Sequence, residues 1–203
     1  MRTTAFCCLL LVAPLAVASD DPRHLQPLDV FNLEWAANPA LSPDGRQVVY
    51  QRNHFDIMKD RRRSHLWLLD VDGTRHRPLT SGQGSDGAPV WSPDGDRIAW
   101  TSAREGGSQV WLRWMDTGQS AVLTQLTQSP GNLVWSPDGH QIAFTMRVPA
   151  DTRPLATMPR KPKGAEWADE VRVIDRIGYR ADGAGYTEPG YSHVFVLPAE
   201  GGT

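Results

Sequence analysis

Cysteine is almost missing from this chain: there are two in 203 residues, Cys7 and Cys8, side by side in an apolar N-terminal run. That run, Ala5 to Val17, follows the basic Arg2 and ends at Ala16-Val17-Ala18 before Ser19. Basic start, apolar middle and small-residue end are the order of a secretory signal peptide, here residues 1–18. The run is shorter than the roughly 20 apolar residues a membrane-spanning helix needs. With it removed the chain would carry no cysteine, which excludes a disulfide framework and any cysteine-based zinc site. An exported domain of this kind would depend on core packing. Surplus charge is also lacking: the formal net charge is -2 and the isoelectric point is near 6.3. No global attraction to nucleic acid or to an anionic membrane follows from that balance, so neither is expected as a partner. The six histidines are scattered with no i, i+4 pair, and no metal site is expected. Asp70-Val71-Asp72-Gly73 is too short for a calcium loop and reads as a hairpin turn.

What the chain has in plenty is turns. Glycine (18) and proline (16) are frequent, and they recur in register rather than in a low-complexity tract. Leu41-Ser42-Pro43-Asp44-Gly45, Trp91-Ser92-Pro93-Asp94-Gly95 and Trp135-Ser136-Pro137-Asp138-Gly139 each lead into an apolar run. Proline sets φ for the first corner of a turn, aspartate bonds its own backbone, and glycine takes the left-handed position. The copies begin about 44 to 50 residues apart, the period of a propeller blade. Four short strands can be read in each of the first two repeats, so the fold class expected is all-β, an incomplete β-propeller of about three four-stranded blades. The organisation expected is a lead-in at 19–40, then blade 1 at about 41–85, blade 2 at about 86–130 and blade 3 at about 131–203. In blade 1 a polar excursion through Asp56, Lys59 and Arg61-Arg62-Arg63 separates two strands. Trp91, Trp100, Trp111 and Trp135 recur within the repeats and are expected in the core.

The third repeat breaks step. Between Ile142-Ala143-Phe144-Thr145 and His193-Val194-Phe195-Val196-Leu197 lies an insertion at 147–192. Its first part is rich in proline and basic residues and reads as exposed loop. Val171 to Ile177 and a tyrosine-rich return around Ala181 to Gly185 read as a projecting hairpin. Long loops in a repeat array usually carry function. If Ala165 to Val171 forms a helical turn, Glu166 and Glu170 share a face at i, i+4, and Trp167, outside the repeat, could line a pocket. These three are the candidate substrate contacts. Arg61-Arg62-Arg63 suits bidentate carboxylate recognition, though a short charge run is more often solvated loop. Gly82-Gln83-Gly84-Ser85-Asp86-Gly87 has the letters of a dinucleotide fingerprint, but a strand rather than a helix follows it, so no cofactor is expected. The chain ends in mid-blade, which fits the front part of a longer protein.

Asp29-Val30-Phe31-Asn32-Leu33-Glu34-Trp35-Ala36, the segment Asp56 to Trp67, and Val173 to Gly183 together resemble the propeller start of exported bacterial prolyl-oligopeptidase-family serine peptidases, a group that includes acylaminoacyl peptidases and dipeptidyl aminopeptidases. The resemblance covers about residues 29 to 203. It implies a propeller that caps a C-terminal α/β-hydrolase domain and admits only short peptides, with the peptide substrate reached through that domain. It also implies a site for a free substrate amine on propeller glutamates, although this chain lacks the adjacent Glu-Glu form. No Gly-x-Ser-x-Gly nucleophile elbow occurs, since Gly106-Gly107-Ser108-Gln109-Val110 lacks the last glycine. No catalytic residue is therefore expected in these residues, and the chain alone should hydrolyse nothing. The alternative is a non-catalytic propeller, similar to that of periplasmic TolB, that binds protein partners.

Overall fold

The structure, a computed structural model, describes residues 24–104, 106–150, 159–168, 173–174, 177–182, 185–187 and 189–201. The segment read as a signal peptide lies outside them. A short 3-10 helix, Pro27–Asn32, leads into three antiparallel sheets. The first blade consists of β1 (Trp35–Leu41), β2 (Gln47–Asp56), β3 (Arg61–Asp70) and β4 (Arg77–Pro78), paired in chain order. The second repeats that order with β5 (Ser85–Trp91), β6 (Arg97–Arg104), β7 (Gly107–Trp114) and β8 (Ser120–Val122). The third holds β9 (Pro130–Trp135), β10 (Gln141–Pro149) and, after the insertion, β13 (Gly190–Pro198), which pairs with β10 along its whole length. Within the insertion β11 (Arg180–Ala181) and β12 (Gly185–Tyr186) make a separate small ladder. The fold is an open β-propeller of three blades.

Each Ser-Pro-Asp-Gly turn is held by the same bonds. The Ser42 hydroxyl donates to Asp44 Oδ1 at 2.6 Å and accepts from the Gln47 N–H at 2.9 Å, while Gly45 sits at φ 72°. Ser92 and Ser136 accept the N–H of Arg97 and Gln141 in the same way, with Gly95 at φ 78° and Gly139 at φ 72°. The serine hydroxyl, helped by the backbone N–H two residues on, holds the Asp44, Asp94 and Asp138 carboxyls below the usual carboxylate range.

The blades stack through equivalent positions. Val49, Leu66 and Leu68 of blade 1 are buried against Ile98 and Trp100 of blade 2. One blade on, Ala99, Val110 and Leu112 are buried against Ile142, Phe144 and Leu197. The indole N–H of the tryptophan before the second and third turns reaches across to the preceding blade. Trp91 Nε1 donates to the Ala40 carbonyl at 3.1 Å, and Trp135 Nε1 to the Val90 carbonyl at 3.3 Å. By cross-strand register, Ala143, Val194 and Val196 are the third set, and there Val194 is 71% and Val196 58% exposed. Of the four tryptophans expected inside, Trp100 and Trp135 are buried, while Trp91 and Trp111 are half-buried at the edge of the core.

Four expectations need correction. Blade 1 begins at Trp35, not Leu41, because β1 pairs with β2 across a bulge at Asn38-Pro39 that masks its strand pattern in sequence. Residues 56 to 63 are not a loop excursion: β2 and β3 pair without interruption from Gln47↔Asp70 to Asp56↔Arg61, leaving only Ile57 to Asp60 as a turn. Basic side chains can lie on a strand where one face meets water. The insertion's hairpin is shorter than expected, two residues on each side, and Val173-Ile174 are irregular; Val171, Arg172, Asp175 and Arg176 lie outside the described residues. Ala165 to Ala168 is not helical either.

Candidate functional site

Of the three candidate contact residues the structure describes Glu166 and Trp167. Glu166 and Trp167 are exposed on the irregular part of the insertion, Trp167 at 43%. Glu170 lies outside the described residues. The glycine-rich run at 82–87 leads straight into β5, in agreement with a strand rather than a nucleotide-binding helix.

The strongest concentration of buried polar groups is elsewhere, at the seam between blades 1 and 2. Asp86, on β5, is fully buried. Trp100 Nε1 donates to its Oδ1 at 3.1 Å, the Ser64 hydroxyl donates to its backbone carbonyl at 2.8 Å, and Arg104 Nη2 stands 3.9 Å from Oδ1. His65 Nδ1 lies 3.5 Å from Asp86 Oδ2, an ion-pair distance without a well-formed hydrogen bond. Burial is the largest single influence on this carboxyl and pushes it up. Contacts with His65, Ser102, Thr80 and Trp100 together outweigh burial, and Asp86 ends below the usual carboxylate range. A carboxylate facing a histidine suggests acid–base chemistry, yet of the hydroxyls around it Ser64 and Ser102 are buried at 6% and 0% exposure, and Thr80 Oγ1 is engaged with the Leu66 N–H at 2.9 Å. The cluster ties blade 1 to blade 2. Beside it Gln51 bonds both Asn38 and Asn53, at 2.8 Å each, and fills the space against Gly87. Sequence reasoning missed this cluster because its members come from β3, β5, β6 and the loop after β4; only the Asp-Gly of a turn-like run was visible.

Blade 1 carries a second feature that shares His65 with this cluster. An open groove of about 320 Å³ is lined by Glu34, Arg52, His54, His65 and Trp67. Arg52 pairs with Glu34 and lies 4.5 Å over the Trp67 ring, and Tyr50 Oη bonds His76 Nε2 at 2.8 Å. The His54 and His65 rings lie tilted to each other with centroids 5.6 Å apart. Among the described residues no three His, Cys, Asp or Glu side chains come together to hold a metal ion.

Topology divides the propeller into two ends. At one lie the Ser-Pro-Asp-Gly turns with the β3–β4 and β7–β8 turns. At the other lie the β2–β3 and β6–β7 turns and both roots of the insertion, Pro149 and Gly190, which pair with each other. Arg61 and Arg62 therefore stand on the same end as the insertion.

Comparison with known proteins agrees with this geometry. The family model described as the TolB β-propeller domain matches residues 29–160. The chain belongs to that family. Dipeptidyl-peptidase 5 of Porphyromonas gingivalis is 35% identical over 86 residues, which is 42% of this chain and 12% of that protein. The Tol-Pal system protein TolB of Alcanivorax borkumensis is 35% identical over 69 residues, 34% of this chain and 15% of that protein. The matched stretch thus spans less than a sixth of either relative. Among solved structures, an acylaminoacyl peptidase of Pyrococcus horikoshii superposes on 84% of this chain and 24% of its own, with a TM-score of 0.62 at 13% identity, a likeness of fold. The expected relation to peptidase propellers and the incomplete-propeller class both hold.

Proposed function

We propose that this chain is the leading part of a substrate-gating propeller in an exported serine peptidase that cleaves short peptides. The catalytic serine, acid and base belong to an α/β-hydrolase domain outside these 203 residues. The observation that carries this reading is the sequence relationship to dipeptidyl-peptidase 5. It is supported by the absence of a Gly-x-Ser-x-Gly elbow from the chain itself and by the export features of residues 1–18. In this reading the blades are scaffold, held in register by the Asp86 cluster and the indole bonds. The insertion, carrying Glu166, Trp167 and Glu170, is the element that meets the peptide. The test is to follow the reading frame downstream of Thr203 and to assay the full product on aminoacyl and acyl-aminoacyl chromogenic substrates. A Gly-x-Ser-x-Gly elbow together with hydrolysis upholds the proposal. More repeats and then a stop codon, with no hydrolysis, would transfer support to a second reading, a non-catalytic periplasmic propeller that binds protein partners. The relationship to TolB of Alcanivorax borkumensis favours that alternative.

A further inference from the structure

The hairpin of β2 and β3 is longer than its counterpart in blade 2. It runs for ten residue pairs, against eight between β6 and β7, from equivalent starting points after the Ser-Pro-Asp-Gly turn. At about 3.3 Å per residue the extra two pairs carry its tip roughly 7 Å beyond the neighbouring turn. The tip is structured: Asp56 Oδ1 accepts the Met58 N–H at 3.0 Å, the Asp56 carbonyl accepts the Lys59 N–H at 3.2 Å, and Asp60 is left-handed at φ 45°. On it stand two bare apolar side chains, Ile57 at 57% and Met58 at 88% exposure. Lys59, Arg61 and Arg62 are exposed beside them and make no ion pair among the described residues. Arg63, by contrast, is tied to Asp56 at 3.6 Å and to the Gln83 carbonyl.

We infer that this end of the propeller docks on an anionic phospholipid bilayer, with Ile57 and Met58 entering the headgroup region and Lys59, Arg61 and Arg62 meeting lipid phosphates. The order of the groups favours a bilayer over a flat acidic protein surface. Ile57 and Met58 are the corner residues of the turn, and Arg61 and Arg62 follow one and two residues into the strand, about 3 to 7 Å behind it, so apolar groups lead and cations stand at the level of the phosphates. The insertion, which springs from the same end, adds exposed Trp167, Ile174, Ile177 and Tyr179 together with exposed Arg160, Lys161 and Lys163. Tryptophan and tyrosine among basic residues are the side chains that settle at a membrane interface. The chain's net charge of -2 offers no general attraction to such a surface; the local grouping of cations does.

The test is co-sedimentation of the purified protein with phosphatidylcholine vesicles, with and without phosphatidylglycerol. Partitioning should appear with phosphatidylglycerol and be lost in high salt. Each cation near an anionic leaflet is worth about fivefold, so Arg61→Ala with Arg62→Ala should weaken partitioning about 25-fold. Ile57→Ser with Met58→Ser should weaken it about tenfold. Arg46→Ala with Arg75→Ala, at the opposite end, should leave it unchanged. Unfolding midpoints of the tip variants should match the parent, because all four residues are exposed. Equal binding to both vesicle types, or insensitivity to both tip variants, would overturn the inference. So would tip variants that spare vesicles but abolish binding to poly-glutamate, which would place an acidic polypeptide there instead.

Discussion

Removing the Asp86 carboxylate should loosen blade 1 from blade 2. In Asp86→Ala the buried Trp100 indole loses its acceptor, and His65, Ser102 and Thr80 lose the carboxylate that each of them contacts. A buried donor left unpaired costs about 1–3 kcal/mol, and small hydroxyls can turn to new partners, so the sum is about 3–5 kcal/mol. Asp86→Asn keeps the shape and one acceptor for Trp100 but presents donors to donors, at about 2 kcal/mol. With a urea slope of about 2–3 kcal/mol/M, the alanine variant should lower the first unfolding midpoint by about 1.5 M and asparagine by about half that. The acid limb supplies a second reading. Because the folded carboxyl lies below its usual range, its contribution is fully present above that range and is lost as pH falls through the lowered value. Asp86→Asn should remove that loss and flatten stability against pH in the acid range. An alanine midpoint within about 0.3 M of the parent would show that the cluster does not hold the blades, and the argument would fail.

Other substitutions test the repeat geometry. Ser92→Ala should cost about 1–2 kcal/mol in urea unfolding, since Ser92 is fully buried and the Arg97 N–H loses its acceptor; Ser136→Ala, nearer to solvent, should cost less. Ala88 is left-handed at φ 50°, where Asn38 and Asn132 stand in the other two blades, so Ala88→Gly should raise the midpoint by about 0.5 kcal/mol equivalent. Val110→Ser should cost about 3 kcal/mol, whereas Val194→Ser, at the same register but exposed, should stay within about 0.5 kcal/mol in this chain. A large loss at Val194 would mean that its face is covered in solution.

The repeated turns, their spacing and the strand following each of them were legible in the amino-acid order, because proline, aspartate and glycine act on the backbone within a few residues of themselves. So was the place of the insertion, marked by the delay of His193 to Leu197. The sequence pattern failed where a strand departs from simple alternation, as in β1 with its bulge at Asn38-Pro39 and in the basic start of β3. The helical turn expected at Glu166 and Trp167 is irregular over Ala165 to Ala168. Only the folded molecule decided what meets across the seams. His65, Thr80, Asp86, Trp100 and Ser102 converge because blade 2 lies on blade 1, and no local spacing records that contact. Which equivalent valines are core and which are bare was likewise set by the stacking of the sheets: Val110 and Val194 occupy the same register, and burial depends on the neighbouring blade, not on the residue.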